Sequence, residues 1–445
     1  MKLLGVLWMT LAAVVCSAAE KPNIILIMAD DLGYECITAN GGESYRTPHL
    51  DRLAATGVRF EHCYVTPLCT PTRVELMTGL YNVRNYVRFG LLPENETTFA
   101  HLLKKAGYAA GICGKWQLGQ RPDLPQHFGF DEAFLWQHTR RPPRYANPGL
   151  EINGVEKDFT NGAYGPKLVN DFALDFVTRH KSRPFFLYYP MILTHAPYQP
   201  TPDSADWDPT LRGETKQNVK YFADMVAYMD KMIGRLVTKL DELNIRQNTL
   251  VIFLADNGTG RGVTSRFKGA DYPGGKGSTT ARGMRVPLIV NWPAVIKTGR
   301  ISTDLIGATD FLPTICEAAG VAVPSNVDGV SFLPQLRGEK GTPRQWLYCW
   351  YSPRQKADLT VREFVFDWRY KLYRSGEFYD LRTDVDETKP LSVAALTGEA
   401  AGAAKKFQAV LDGFQNARPQ ELDRLVQDKS QAPSQGKRSK RKQVP

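Results

Sequence analysis

Apolar runs that end abruptly in oxygen-bearing side chains set the rhythm of this chain. NIILIMADD, residues 23–31, is a continuous isoleucine-rich run closing in Asp30 and Asp31, the pattern of a strand buried on both faces in a parallel sheet. TLVIFLADNG, residues 249–258, repeats the device with Asp256 and Asn257 before Gly258 turns the chain. AAGIC (109–113), FFLYYPMI (185–192) and VPLIVNWP (286–293) predict further strands. Helical signals lie between them. TPHLDRLAATG (47–57) offers Thr47 as N-cap, a proline at the first helical position and a terminal glycine, and TTFAHLLKKAG (97–107) follows the same logic. GPKLVNDFALDFVTRH (165–180) carries a helical period with proline in its first turn, and ATDFLPTICEAAG (308–320) predicts one more helix. The segment 218–243 sets Phe222, Val226, Met229, Ile233, Leu236 and Leu240 on one stripe, which predicts a long amphipathic helix against the sheet with its methionines as core.

From about Leu347 the texture changes to short aromatic runs, LYCWY, EFVFDW and YKLYRSGEFYDL, separated by charged turns. They predict a small antiparallel sheet, followed by one helix near 401–415. The expected division is a catalytic unit over 20–345, a smaller C-terminal unit over 346–427 and a basic tail over 428–445.

The first nineteen residues have a basic start, an apolar run and a small-residue end, the layout of a secretory signal cleaved after Ala19, so the mature chain is expected to be secreted or periplasmic. Acylation at Cys16 fits less well, because Val15 stands where a small residue belongs. No later stretch approaches the roughly 20 consecutive apolar residues of a spanning helix, and no integral membrane segment is expected. The formal charge of +10 changes little, since Lys429, Lys437, Arg438, Lys440, Arg441 and Lys442 place six positives in a tail rich in Gln, Ser and Pro. Such an end is ordinarily solvated, and with export it argues against a nucleic-acid partner. Six cysteines remain beyond the signal: Cys36, Cys63, Cys69, Cys113, Cys316 and Cys349. They form no zinc-type pair and are too few to build a disulfide scaffold.

In open α/β sheets ligands gather outside the carboxyl ends of the strands, where Asp30, Asp31, Asp256 and Asn257 are expected to converge. Three carboxylates and an amide make a hard, oxygen-only set that suits Ca2+, with Mg2+ second. Either pair alone is also what a cap or an ordinary turn requires; the recurrence after two buried strands favours the metal. Cys69, in LCTPTRVELMTGLY, stands beside Pro71 and before a helical run, hence at a helix N-terminus, with Arg73 one turn on. A buried thiol serving as a small apolar residue fits the composition equally well.

Taken together these stretches resemble a sulfatase, of the alkaline-phosphatase-like type whose catalytic residue is formylglycine (3-oxoalanine) made from cysteine. The pattern C-x-P-x-R followed by T-G is present as Cys69, Pro71, Arg73, Thr78 and Gly79. PNIILIMADDLGY, TPHLDRLAATGVRF, AGYAAGICGKWQLG, THAPY, LADNG, GGKGSTTARGMRVPLIVNWP, ATDFLPTICEAAG and KLYRSGEFYDLRTDVDE extend the likeness over roughly residues 22–390. The resemblance implies an α/β fold, a mixed sheet flanked by helices with a smaller C-terminal antiparallel sheet and helix. It also implies that a formylglycine-generating enzyme oxidises Cys69 before folding buries it. Hydration of the aldehyde then supplies the nucleophile that attacks sulfur, with Cys69 joining Asp30, Asp31, Asp256 and Asn257 around the ion. Lys115 of GKW and Lys276 of GGKG match the sulfate-binding lysines, Arg73 the arginine that holds formylglycine, and His195 of THAP the general acid.

Two positions depart from the pattern. Gln117 stands where many sulfatases have a histidine able to take a proton from the second hydroxyl, whereas glutamine can only hydrogen-bond. Ala281 and Arg282 stand where an acidic residue and a glycine are common in that stretch. The expected activity is a sulfuric ester hydrolase, an arylsulfatase-like enzyme acting on a sulfated carbohydrate. Arg140, Arg141, Arg144, Arg261 and Arg266 lie in predicted loops suited to a polyanionic cleft. A phosphate or phosphonate ester hydrolase on the same scaffold, and a catalytically weak sulfated-glycan-binding relative, are the alternatives.

Overall fold

The computed structural model describes residues 21–213, 217–356 and 358–427; the signal segment, Cys16 and the tail from residue 428 lie outside the described residues. The apolar runs become the centre of a ten-stranded sheet. Its strands are β1 (Asn23–Ala29), β2 (Val58–Tyr64), β3 (Ala109–Lys115), β4 (Glu132–Trp136), β5 (Gly149–Ile152), β6 (Val155–Asp158), β7 (Phe185–Pro190) and β8 (Thr249–Ala255), with β11 (Leu288–Asn291) and β12 (Arg300–Gly307). The hairpin β9 (Thr264–Phe267) and β10 (Ala270–Pro273) stands apart. The sheet order is β12-β2-β11-β8-β1-β7-β3-β4-β5-β6. β8, β1, β7, β3 and β4 run parallel, β11 is antiparallel to both neighbours, and β5 and β6 close one edge as a hairpin, so the sheet is mixed.

Every residue of β1, β3, β7 and β8 is buried, as continuous apolar runs covered on both faces require. The helix Tyr221–Glu242 buries the whole stripe expected of it, and its methionines 225, 229 and 232 are core. It also caps a neighbour. Thr47 makes no side-chain cap to the helix Pro48–Thr56; its hydroxyl is turned to Thr38 and Asp51. The carboxylate of Asp230 instead accepts from the backbone N–H of His49 at 3.0 Å and of Leu50 at 2.9 Å. The stronger, charged acceptor wins the orphan donors.

The C-terminal runs form the antiparallel meander β13 (Leu347–Tyr351), β14 (Arg362–Phe366), β15 (Tyr370–Tyr373) and β16 (Phe378–Asp380), packed by the helix Gly398–Gly413. The result is a large mixed α/β sheet with a small antiparallel sheet beside it. Among the described residues no helix is long and apolar enough to cross a membrane, and all six cysteines are free and buried.

Candidate active site

The carboxyl ends of β1, β3 and β8 deliver the residues singled out above to one buried place. Asp30 and Asp31 leave β1, Asp256 and Asn257 leave β8, and Lys115 is the last residue of β3. Lys115 Nζ donates to both oxygens of Asp30, at 2.9 and 2.8 Å. Lys276 Nζ lies 2.6 Å from Asp31 Oδ1 and 2.7 Å from Oδ2. Asp256 accepts through Oδ1 from the Asp31 backbone N–H at 3.1 Å and through Oδ2 from Arg73 Nη2 at 2.8 Å.

The ten residues of the helix Cys69–Thr78 are all buried, and Cys69 opens its first turn. Gly79 ends the helix at φ 70°, where its N–H reaches the carbonyl of Glu75 at 2.8 Å. A Cβ there would lie 3.2–3.3 Å from Val327 and Leu312, which explains why T-G closes the segment. One turn on from Cys69, Arg73 fastens this helix to two strands, donating to Asp256 and, through Nη1, to the Lys115 carbonyl at 3.1 Å. Cys69 Sγ donates to Gln117 Oε1 at 2.9 Å.

His195 brings a fourth segment. Its Nε2 lies 3.7 Å from Asp31 Oδ2, while its Nδ1 faces Arg144 Nη1 at 2.9 Å and the Ala196 carbonyl at 2.5 Å. Arg144 is itself stacked over the Trp136 ring, 3.9 Å from its centroid. Burial, outweighing Asp31 and Asp30, lowers the pKa of His195 to about 4.

The electrostatics follow from three buried carboxylates meeting the buried Lys115 and Arg73 and the partly buried Lys276. Lys115, His195 and Arg73 overcome burial and hold Asp30 far below the usual carboxylate range. His195 and Lys276 overcome burial at Asp31, whose pKa is also lowered. Asp256 is pushed up to about 6, first by burial and then by Asp30. For Cys69 burial dominates and raises the thiol.

The donor set fits a hard cation. Asn257 gives its amide N–H to Asp31 Oδ1 at 2.9 Å, and its own Oδ1 is buried without a partner. An orphaned carbonyl oxygen beside three carboxylates is what a Ca2+-type ion would satisfy. Among the described residues Asp30, Asp31 and His195 offer ligand atoms all within 4.8 Å of one another, while Asp256 is engaged by Arg73 and by the Asp31 backbone. Asn257 is fully buried, as a ligand is and a glycan acceptor is not.

The loop arginines divide. Arg144 and Arg261, whose Nε donates to the Lys276 carbonyl at 2.8 Å, border the cluster. Arg140 pairs with Asp158 at 2.6 Å and with Glu156 at 3.2 Å. Arg266 sits on the strand β9 rather than in a loop and pairs with Asp271 at 3.0 Å. Arg282, one of the departures from the pattern, pairs with Asp386 at 2.5 Å. Sequence reasoning gave no signal for Gln137, whose role rests on a long-range contact described below, or for the contact of Arg144 with His195.

The sequence model described as Sulfatase matches residues 22–321, and one described as N-sulphoglucosamine sulphohydrolase, C-terminal, matches residues 278–405. The chain is 34% identical over 370 residues to N-acetylgalactosamine-6-sulfatase of Canis lupus familiaris, spanning 74% of this chain and 69% of that one. It is 35% identical over 407 residues to arylsulfatase A of Bos taurus, spanning 81% and 77%. Among solved structures it is similar to Ps i-CgsB, with a TM-score of 0.77 and 27% identity over 92% of this chain and 98% of that one. That protein has also been solved with k-i-k-neocarrahexaose, and this form matches at a TM-score of 0.75 and 26% identity.

Proposed function

The chain belongs to the sulfatase family and is a sulfuric ester hydrolase, and from that premise we propose that it is an exported enzyme that cleaves sulfate monoesters on a carbohydrate, using a nucleophile made from Cys69. The observation that carries the reading is the convergence of segments far apart in sequence on one cluster: Lys115 on Asp30, Lys276 and His195 on Asp31, Arg73 on Asp256, and Cys69 on Gln117, two residues beyond Lys115. Oxidised to formylglycine and hydrated, residue 69 supplies the oxygen nucleophile. A divalent ion would be held by Asp30, Asp31, Asp256 and Asn257 together with residue 69, and would supply positive charge that favours loss of a proton there.

The chain's own residues do the rest. Arg73 anchors the helix that begins at residue 69 and so fixes where the nucleophile stands. Lys115 and Lys276 face the carboxylates from two sides, where they meet the charge that a sulfuryl group spreads over its oxygens in transit. His195 gives the proton that the departing alkoxide needs. Its lowered pKa leaves the ring neutral near pH 7, and the tautomer that serves as acid carries the proton on Nε2, with Nδ1 set between the Arg144 guanidinium and the Ala196 carbonyl. Gln117 holds residue 69 by a hydrogen bond.

A carbohydrate substrate is supported by Arg140, Arg141 and Arg212, which bound a cavity of about 530 Å³, and by the neocarrahexaose bound to Ps i-CgsB. The division at 345/346 belongs to the same reading; the change from the ten-stranded sheet to the small meander beginning at Leu347 supports it. Peptide mass at residue 69 and turnover of matched nitrophenyl sulfate and phosphate esters test the proposal. The expected result is an aldehyde or diol in place of the thiol, with the sulfate ester preferred. A fully active protein that retains the thiol would sink it, and so would preference for phosphate.

A further inference from the structure

Gln117 and Gln137 are paired just beyond the carboxyl ends of β3 and β4. The Gln117 N–H donates to the Gln137 carbonyl at 3.2 Å, and both residues are in the left-handed region, at φ 56° and 57°. That conformation costs a residue bearing a Cβ about 1 kcal/mol. Two glutamines side by side in it point to a function held by their side chains. An amide can turn either end to a neighbour, and the neighbour's chemistry decides which. Arg141 can only donate. The Gln137 amide therefore turns its oxygen toward Arg141 Nε at 3.2 Å and Nη2 at 3.3 Å, and the same oxygen accepts from Gln117 Nε2 at 3.2 Å. With its NH2 so engaged, Gln117 presents Oε1 to residue 69, where it accepts from the Cys69 thiol at 2.9 Å.

We propose that Gln137, oriented by Arg141, is a positioning residue that commits the Gln117 amide to accept a hydrogen bond from residue 69. The inference rests on the reading of residue 69 given above. An acceptor holds the second hydroxyl of the hydrated aldehyde by its hydrogen and so fixes which way the other oxygen faces, whereas a rotated amide would offer its NH2 and lose that hold. Where many sulfatases have a histidine, this chain thus has a glutamine whose direction is set by Gln137 and, through it, by Arg141.

The test uses protein whose conversion at residue 69 has been verified by peptide mass. Gln137→Met preserves length and removes both polar ends; kcat on nitrophenyl sulfate is expected to fall about tenfold with KM changed less than about twofold. Gln137→Glu, an acceptor only, is expected to recover kcat while KM rises, because the new carboxylate repels an anionic ester. A readout independent of turnover is exchange of the Gln117 side-chain amide in protein labelled with 15N-glutamine, its signal identified by loss in Gln117→Met. It should exchange slowly in the parent and in Gln137→Glu, and faster in Gln137→Met. An unchanged kcat in Gln137→Met, or an amide that exchanges no faster, overturns the proposal. Should Gln137→Met not accumulate, Arg141→Met tests the same chain of bonds from its exposed end under the same criteria. Failure of the verified parent to cleave any sulfate ester would overturn the sulfatase chemistry, while amide exchange measured on the thiol form would still decide the pairing.

Discussion

Cys69 is the least reactive kind of cysteine as it stands, because burial raises its thiol and withholds the thiolate. Its value to the site is its position, and the same holds for its neighbour Gln117, which can orient a hydroxyl but not remove its proton. Gln117→His is therefore expected to raise kcat on nitrophenyl sulfate by about tenfold or more with KM little changed, since a positioned base contributes on that scale. Steady-state kinetics check it, and no gain would mean that proton removal does not limit turnover. The ion has a similar consequence. Asp30, Asp31 and Asp256 here neutralise Lys115, Lys276 and Arg73, so an incoming sulfate finds its cations already engaged. A divalent cation on the carboxylates would release them. Chelation is thus expected to weaken inorganic sulfate binding at least about tenfold in calorimetry, with Ca2+ restoring it, and by reciprocity sulfate should tighten Ca2+. Much of this was legible in the chain: the carboxylates show because apolar strands end in them, and the C-x-P-x-R spacing marks Cys69 and Arg73. His195 meeting Arg144 and Gln117 meeting Gln137 were not legible, since both depend on loops whose approach no local pattern encodes.

At the scale of elements, the central apolar strands and the amphipathic helices were read from the pattern of the chain, whereas β2, β4, β12 and the short hairpins were missed. The β5–β6 turn carries Asn153 and Gly154 at φ 49° and 82°, and the β9–β10 turn carries Lys268 and Gly269 at φ 49° and 79°, both with the positive angles of a two-residue hairpin turn. Asn-Gly was a usable signal; Lys-Gly was a weaker one. The helix Cys69–Thr78 carries a further feature that amphipathic reasoning overlooks, the fully buried Glu75, which accepts from the backbone and side-chain N–H of Asn82 at 3.2 and 2.9 Å. Burial raises its pKa from 4.5 to about 8. The folded protein keeps this proton over a range in which the unfolded chain has lost it. The stability it contributes is therefore complete below about pH 4.5 and declines as pH rises toward 8. Glu75→Gln stays neutral throughout. Urea unfolding is expected to find it close to the parent at pH 5 and more stable by about 2–4 kcal/mol at pH 8; parallel pH dependences in the two proteins would refute the burial argument.

Across the whole molecule, the small C-terminal sheet grips the segment that delivers Lys276. Thr279, three residues beyond that lysine, is held from three directions by β14 and β15. Lys371 Nζ donates to its carbonyl at 2.6 Å, the Tyr373 hydroxyl lies 2.8 Å from its Oγ1, and Arg362 Nη1 donates to the same oxygen at 3.2 Å. Lys371 is an unusual tether, since burial lowers its pKa and Glu387, at 2.8 Å, is the main group that opposes the shift. Its ammonium also lies over the Phe364 ring at 3.9 Å, so the cation is wrapped by the meander and aimed back at the large sheet. Composition showed that an aromatic appendage follows residue 346, but nothing in it revealed that one lysine spans the joint. Lys371→Met keeps the stem and removes the charge, leaving the buried Glu387 carboxylate unpaired. Breaking such a pair costs about 3–5 kcal/mol, and denaturant unfolding should register it. With the 276–280 segment released, KM for a nitrophenyl sulfate should rise more than kcat falls if Lys276 meets the sulfate group as proposed. A variant destabilised by that amount with an unchanged KM would show that the small sheet supports the fold without setting the position of Lys276.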